Sequence, residues 1–171
     1  MPVIEVVLGD LVEERVDAIV TAANESLLGG GGVDRAVHAA AGPELAGAGS
    51  ALAPLDPGDA VATPAFRLGP RIRHVIHTVG PVWEGGGYDE AELLASCYRR
   101  CLEVADALGA RSLAIPAIST GVYGYPAADA ARIAVSTVRS VRTRVEVVRL
   151  VAFDEGSRDL LRSELAAQGV S

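Results

Sequence analysis

Lysine is missing from the 171 residues: the 15 basic side chains are all arginine, set against 22 acidic ones, for a net charge of −7. A phosphate loop of the Walker type needs a lysine and is excluded. The acidic balance, with no dense basic run, argues against non-specific nucleic-acid binding. Any anionic ligand must be held by local dipoles rather than by global charge. Cysteine is nearly missing as well. Cys97 and Cys101 are the only two. They lie four apart in a helical pattern, which does not suit a disulfide, and no Cys/His quartet exists for zinc. They read as small buried hydrophobes; no motif requires a metal or a cofactor. No apolar run approaches the ~20 residues of a membrane span. The start, Met-Pro-Val-Ile-Glu, has neither a basic segment nor a long apolar stretch. No signal peptide is read there, and a cytoplasmic location is expected.

What is present is a chain half of whose residues are hydrophobic. At this length one domain over residues 1–171 would bury ~70% of its unfolded surface. Strands are expected at Val3–Leu8, Ala18–Ala22, Ala60–Pro64, Ile72–Val79, Ser112–Ile118 and Val145–Phe153. Helices are expected at Val33–Ala41, Ala91–Leu108, from Pro126 to about Ser140, and at Ser157–Ala167, with a short helix and a loop within Pro43–Gly58. Gly85-Gly86-Gly87 reads as a mobile loop. The alternation predicts an α/β fold, a mostly parallel sheet with helices on both faces.

Two stretches share one plan of strand, glycine loop and helix. The first runs from Thr21 through Gly29–Gly32 to His38, and the second from Ile118 through Gly121–Gly124 to Pro126. Glycines let backbone approach a ligand closely, and free N–H groups at a helix start favour anions. Both loops follow strand carboxyl ends and so belong on one edge of the sheet, where ligands of such folds bind. Together they predict a backbone-lined pocket for the diphosphate of a nucleotide-like ligand. The dinucleotide fingerprint Gly-x-Gly-x-x-Gly with its acidic partner fits neither loop, and the Gly-x-Ser-x-Gly elbow is missing. Ser119 and Thr120 therefore read as hydrogen-bond donors, not nucleophiles. Asp34, in the first helical turn, suits the helix dipole for ordinary reasons. A diphosphate at the same terminus would also make it more basic, a property of a general base. Asn24 offers a donor and an acceptor, which suits a ribose diol.

These motifs resemble the macrodomain family, specifically the MacroD-type branch that includes O-acetyl-ADP-ribose deacetylases. The likeness covers Gly9-Asp10, Val16–Val20, Ala22-Ala23-Asn24, Leu27–Asp34, His77–Val82, Pro116–Pro126 and Phe153–Glu155. It implies a three-layer α/β/α sandwich around a six-stranded mixed sheet, with ADP-ribose as ligand. By the resemblance, Asp10 would bond the adenine amino group, with Leu11 and Phe153 beside the ring. Gly31, Gly32 and Val33 would line the diphosphate on one side, and Ser119, Thr120, Gly121 and Val122 on the other. Ala22 and Gly124 would complete the ligand-binding set. Tyr123 would lie against the distal ribose, Asn24 would orient it, and Asp34 would act in hydrolysis, the attacking water being activated by Asp34 or by the diphosphate itself. The implied activity is hydrolysis of O-acetyl-ADP-ribose, or of ester-linked mono-ADP-ribose on acidic (Asp/Glu) residues of proteins. The alternative is a non-catalytic ADP-ribose reader; an RNA-binding macrodomain is disfavoured by the acidic charge.

Two residues depart from the family pattern. Thr21 stands where an Asn is usual; it still hydrogen-bonds, so fold and binding should survive. Arg35 stands where a Gly is usual, and would pair with Asp34 or with an acidic substrate protein. His38, His74 and His77 have no sequence proximity and are given structural roles. Trp83 belongs either to packing or to a substrate-facing loop, and Asp154-Glu155 either to the ligand or to a cap of the last helix. The arginine-only, alanine-rich composition points to a GC-rich, bacterial genome.

Overall fold

A computed structural model describes residues 1–169. The expected strands form as β1 (Val3–Leu8), β2 (Ala18–Ala22), β3 (Ala60–Pro64), β4 (His74–Thr78), β5 (Ser112–Pro116) and β6 (Val147–Ala152). The helices are α1 (Gly32–Ala41), α2 (Glu44–Ser50), α3 (Glu90–Ala107), α4 (Ala127–Ser140) and α5 (Glu155–Ala167). Two short 3-10 turns that have no sequence period, Leu11–Glu13 and Phe66–Leu68, complete the described elements.

Several strands stop short of their apolar runs. β4 ends at Thr78, although Ile72 and Val79 outside it are buried. Ile72 N bonds the Leu68 carbonyl, and the Val79 carbonyl receives Gly58 N, so both serve the core from turns. β5 stops at Pro116, which has no N–H to continue a ladder. Phe153 leaves the end of β6 and is 86% exposed.

The strand order is β1-β6-β5-β2-β4-β3, parallel except for β3, which runs antiparallel to β4 at the edge. Adjacent residues alternate between two cores, as the pleat requires. Ala18, Val20, Leu113 and Ile115 face the core formed with α3, α4 and α5. Ile19, Val75 and Ala114 face the one formed with α1 and α2. The result is a three-layer sandwich. Cys97 and Cys101 sit buried on α3, where burial pushes both thiols up. No described helix is long and apolar enough to cross a membrane.

Candidate active site

β2 and β5 are neighbours and parallel, so the chain leaves both at the same sheet edge. After β2 it passes the first glycine loop and enters α1. Gly31, at the N-cap, is extended (φ −94°) and no side chain caps the helix, which leaves first-turn amides free for a ligand. Gly32 takes φ +60°, a left-handed value that a glycine adopts without cost. After β5 the second loop closes on itself, with Gly124 N bonding Gly121 O at 3.0 Å and Tyr125 N bonding Ser119 O at 2.9 Å. Ser119 is itself left-handed at φ +66°. Its Oγ is buried against Gly80, where a Cβ would stand 2.1 Å away, so only glycine fits there.

Between the loops lies a cleft of two joined cavities. The larger, about 830 Å³, is lined by Asp10, Leu11, Gly32, Val33, Thr120, Gly121 and Phe153, among others. The smaller, about 350 Å³, adds Ala22, Asn24, Gly31, Ser119, Val122 and Tyr123. Gly32, Val33, Ala117 and Gly121 line both. The carboxyl ends of β1, β2, β5 and β6 thus all deliver residues to one cleft. Gly124 lines neither cavity; it is left-handed at φ +71° and shapes the second loop. Sequence reasoning did not single out Val12, Ala36, Ala127 and Gly80 as lining residues, since small or apolar side chains beside the loops carry no chemical signature.

Asp34 is not on the cleft wall. It is 1% exposed and points into the protein. The periodicity contained this: Asp34 shares its helix stripe with the buried Val37 and Ala41. Thr21 Oγ1 donates to Asp34 Oδ1 at 2.9 Å, and His38 Nε2 lies 3.5 Å from the same oxygen. Asp34 Oδ2 has no hydrogen-bond partner among the described residues. The position of a Cβ at the cleft residue Gly30 is 3.6 Å from that oxygen and 3.5 Å from Asn24 Nδ2. Asn24 and the free Asp34 oxygen therefore converge behind one glycine at the distal end of the cleft. Asn24 is held in turn by Ser26, whose Oγ donates to its Oδ1 at 2.8 Å.

Arg35 corrects one expectation. It is exposed while Asp34 is buried, and it makes no ion pair with Asp34 among the described residues, because successive helix positions point about 100° apart. The histidines, apart in sequence, meet in the fold. Tertiary packing brings the His38 and His77 rings to 6.5 Å, edge to face. The i,i+4 spacing of Asp34 and His38 was the available sequence signal; the approach of His77 comes from β4 pairing beside β2, which puts His77 opposite Thr21. Thr63 Oγ1 and His77 Nε2 are 2.9 Å apart. Burial first, and His38 second, lower His77 to about 4, so it is neutral at physiological pH.

Asp154 caps α5, accepting from Ser157 N at 2.8 Å, a bond that lowers its carboxyl; it lines the larger cavity as well. The segment Gly85–Gly87 is anchored by Glu90. Burial alone would raise that carboxyl, but bonds from the Glu84, Gly86 and Tyr88 amides outweigh it and bring it down to about 2.

A model of the Macro domain family matches residues 20–134. An O-acetyl-ADP-ribose deacetylase of Salmonella typhimurium is 51% identical over 97% of this chain and 96% of its own length. A macro domain-containing protein of Streptomyces nogalater is 52% identical over 96% of this chain and 93% of its own. Among solved structures, an Oceanobacillus iheyensis macrodomain with ADP superposes with a TM-score of 0.91 at 41% identity, covering 96% of this chain and 90% of that one. A Trypanosoma brucei macrodomain in complex with ADP-ribose superposes with a TM-score of 0.84 at 35% identity, over 94% of this chain and 68% of that one. With this sheet order, two glycine loops on one edge and these relatives, the chain belongs to the macro domain family.

Proposed function

We propose that the cleft binds ADP-ribose and that the protein is a hydrolase of O-acetyl-ADP-ribose and of mono-ADP-ribose esters on acidic residues of proteins. The observation that carries this is the convergence of Asn24 and the unpartnered Asp34 Oδ2 behind Gly30, at the end of a cleft walled by an uncapped helix start. The first-turn amides of α1 and the second loop's backbone suit a diphosphate without any cation. Asp10 and the exposed Phe153 suit the adenine end, and Asn24 and Tyr123 the distal ribose. Names of relatives support the same reading, as an O-acetyl-ADP-ribose deacetylase and as macrodomains with ADP or ADP-ribose.

In the reaction, water attacks the ester carbonyl, the bond from that carbon to the ribose oxygen breaks, and the ribose oxygen takes a proton. ADP-ribose and the free acid result. Thr21 occupies Asp34 Oδ1 and leaves Oδ2 unpartnered behind Gly30; a shift of the Gly30 backbone on ligand binding would open that oxygen to the proton of the attacking water. The chemistry requires an ester. The test is incubation with a glutamate-linked and a serine-linked ADP-ribosylated peptide. Release of ADP-ribose from the first and not the second supports the reading; stoichiometric binding without release from glutamate-linked peptide and O-acetyl-ADP-ribose alike would make the protein a reader.

A further inference from the structure

The segment between β4 and α3 is organised by one side chain. Glu90 is the first residue of α3 and is 1% exposed. Its Oε2 accepts from Glu84 N at 2.8 Å and Gly86 N at 3.0 Å, and its Oε1 from Tyr88 N at 2.6 Å. All three amides precede the helix, so this carboxylate does not cap α3. Asp89, at the N-cap, makes no capping bond. Burying a carboxylate is costly unless its bonds are made, so the converging amides hold Glu90 and loop in one arrangement.

That arrangement reaches the cleft through Trp83. A Cβ at Gly86 would stand 3.0 Å from Trp83 Cη2, so the loop is in close contact with the far end of the indole. The indole packs on Tyr125 with ring centroids 4.8 Å apart. Trp83 N donates to Tyr123 O at 2.8 Å. Tyr123 lines the smaller cavity, at the end that holds Asn24. Glu90 lines neither cavity.

We infer that Glu90 is a positioning residue: its carboxylate holds the 84–88 loop on Trp83, and Trp83 in turn sets Tyr123 at the distal end of the cleft. This rests on the reading of the cleft as an ADP-ribose site. A glutamine of equal size presents a donor at one end and cannot accept all three amides. Its effect should be confined to the distal end, whereas a general loss of fold would weaken both ends together.

The experiment compares the wild-type protein with Glu90→Gln and Gly86→Ala. Calorimetry gives affinity for AMP, which reaches only the adenine and first phosphate, and kinetics give kcat and KM on O-acetyl-ADP-ribose. For both variants AMP affinity should stay within about twofold while kcat falls about 10- to 100-fold, as for a misplaced contact at the reacting end. The inference is overturned if kcat is unchanged, or if AMP affinity falls in step with kcat. If Glu90→Gln does not fold, Gly86→Ala decides alone by the same criteria. Failure of the wild type to bind ADP-ribose would remove the underlying reading, and this inference with it, before any variant is compared.

Discussion

Thr21 Oγ1 and Asp34 Oδ1 are 2.9 Å apart in the core beneath α1, with Thr21 donating. Thr21, one of the two residues that depart from the pattern of the family it resembles, is thus the one that holds the candidate base. Thr21→Val keeps the shape and removes the donor. A lost bond to a charged group costs about 1.5–3 kcal/mol. The expected outcome is lower stability of that size in urea unfolding and a kcat at least about tenfold lower, with ADP-ribose affinity unchanged.

Phe153 is 86% exposed at the end of β6, yet lines the larger cavity. An exposed ring on a free surface adds little to folding. Phe153→Ala should shift stability by no more than about 0.5 kcal/mol. ADP-ribose affinity, by calorimetry, should fall about tenfold through lost aromatic contact with adenine.

Gly80 and Ser119 meet across the cleft floor. A Cβ on residue 80 would stand 2.1 Å from Ser119 Oγ and 2.7 Å from Ile118 Cγ2. Gly80→Ala should therefore cost about 1–3 kcal/mol by overpacking and weaken ADP-ribose binding by displacing the second loop. Adding Ser119→Gly removes the nearer clash and the left-handed strain at φ +66°. The double variant should regain part of both losses, a coupling that thermal unfolding and calorimetry read directly.

His77 is held at about 4 in the folded protein, against its ordinary 6.5. Between these values the unfolded chain binds the extra proton, so stability rises with pH through this window and falls on acidification. The loss approaches about 2 kcal/mol at pH 5 and about 3 kcal/mol below pH 4. His77→Gln should flatten that part of the curve of melting temperature against pH.

Much of this was legible in local pattern. The apolar run at Ala18–Ala22 and the helical spacing of Leu94, Cys97, Tyr98, Cys101 and Leu102 match β2 and α3 closely. The two glycine loops foretold a shared cleft because parallel strands put their carboxyl ends on one edge. What was not legible depends on pairing between distant segments. The antiparallel run of β3 has no periodic signature, since parallel and antiparallel partners both alternate. The approach of His77 to His38 arises only once β4 lies beside β2. The place of Asp34 in the first turn of α1 suggests the cleft wall, and its inward direction puts it behind Gly30 instead.

The central claim is that Asp34 Oδ2, behind Gly30, accepts the proton of the attacking water while the cleft in front binds the ligand. Asp34→Asn keeps size and one oxygen and removes the base. Measured side by side, calorimetry with ADP-ribose should give an affinity within about threefold of wild type, and acetate release from O-acetyl-ADP-ribose should fall at least about 100-fold, the scale of a lost general base. Wild-type rates of acetate release from Asp34→Asn would contradict the account.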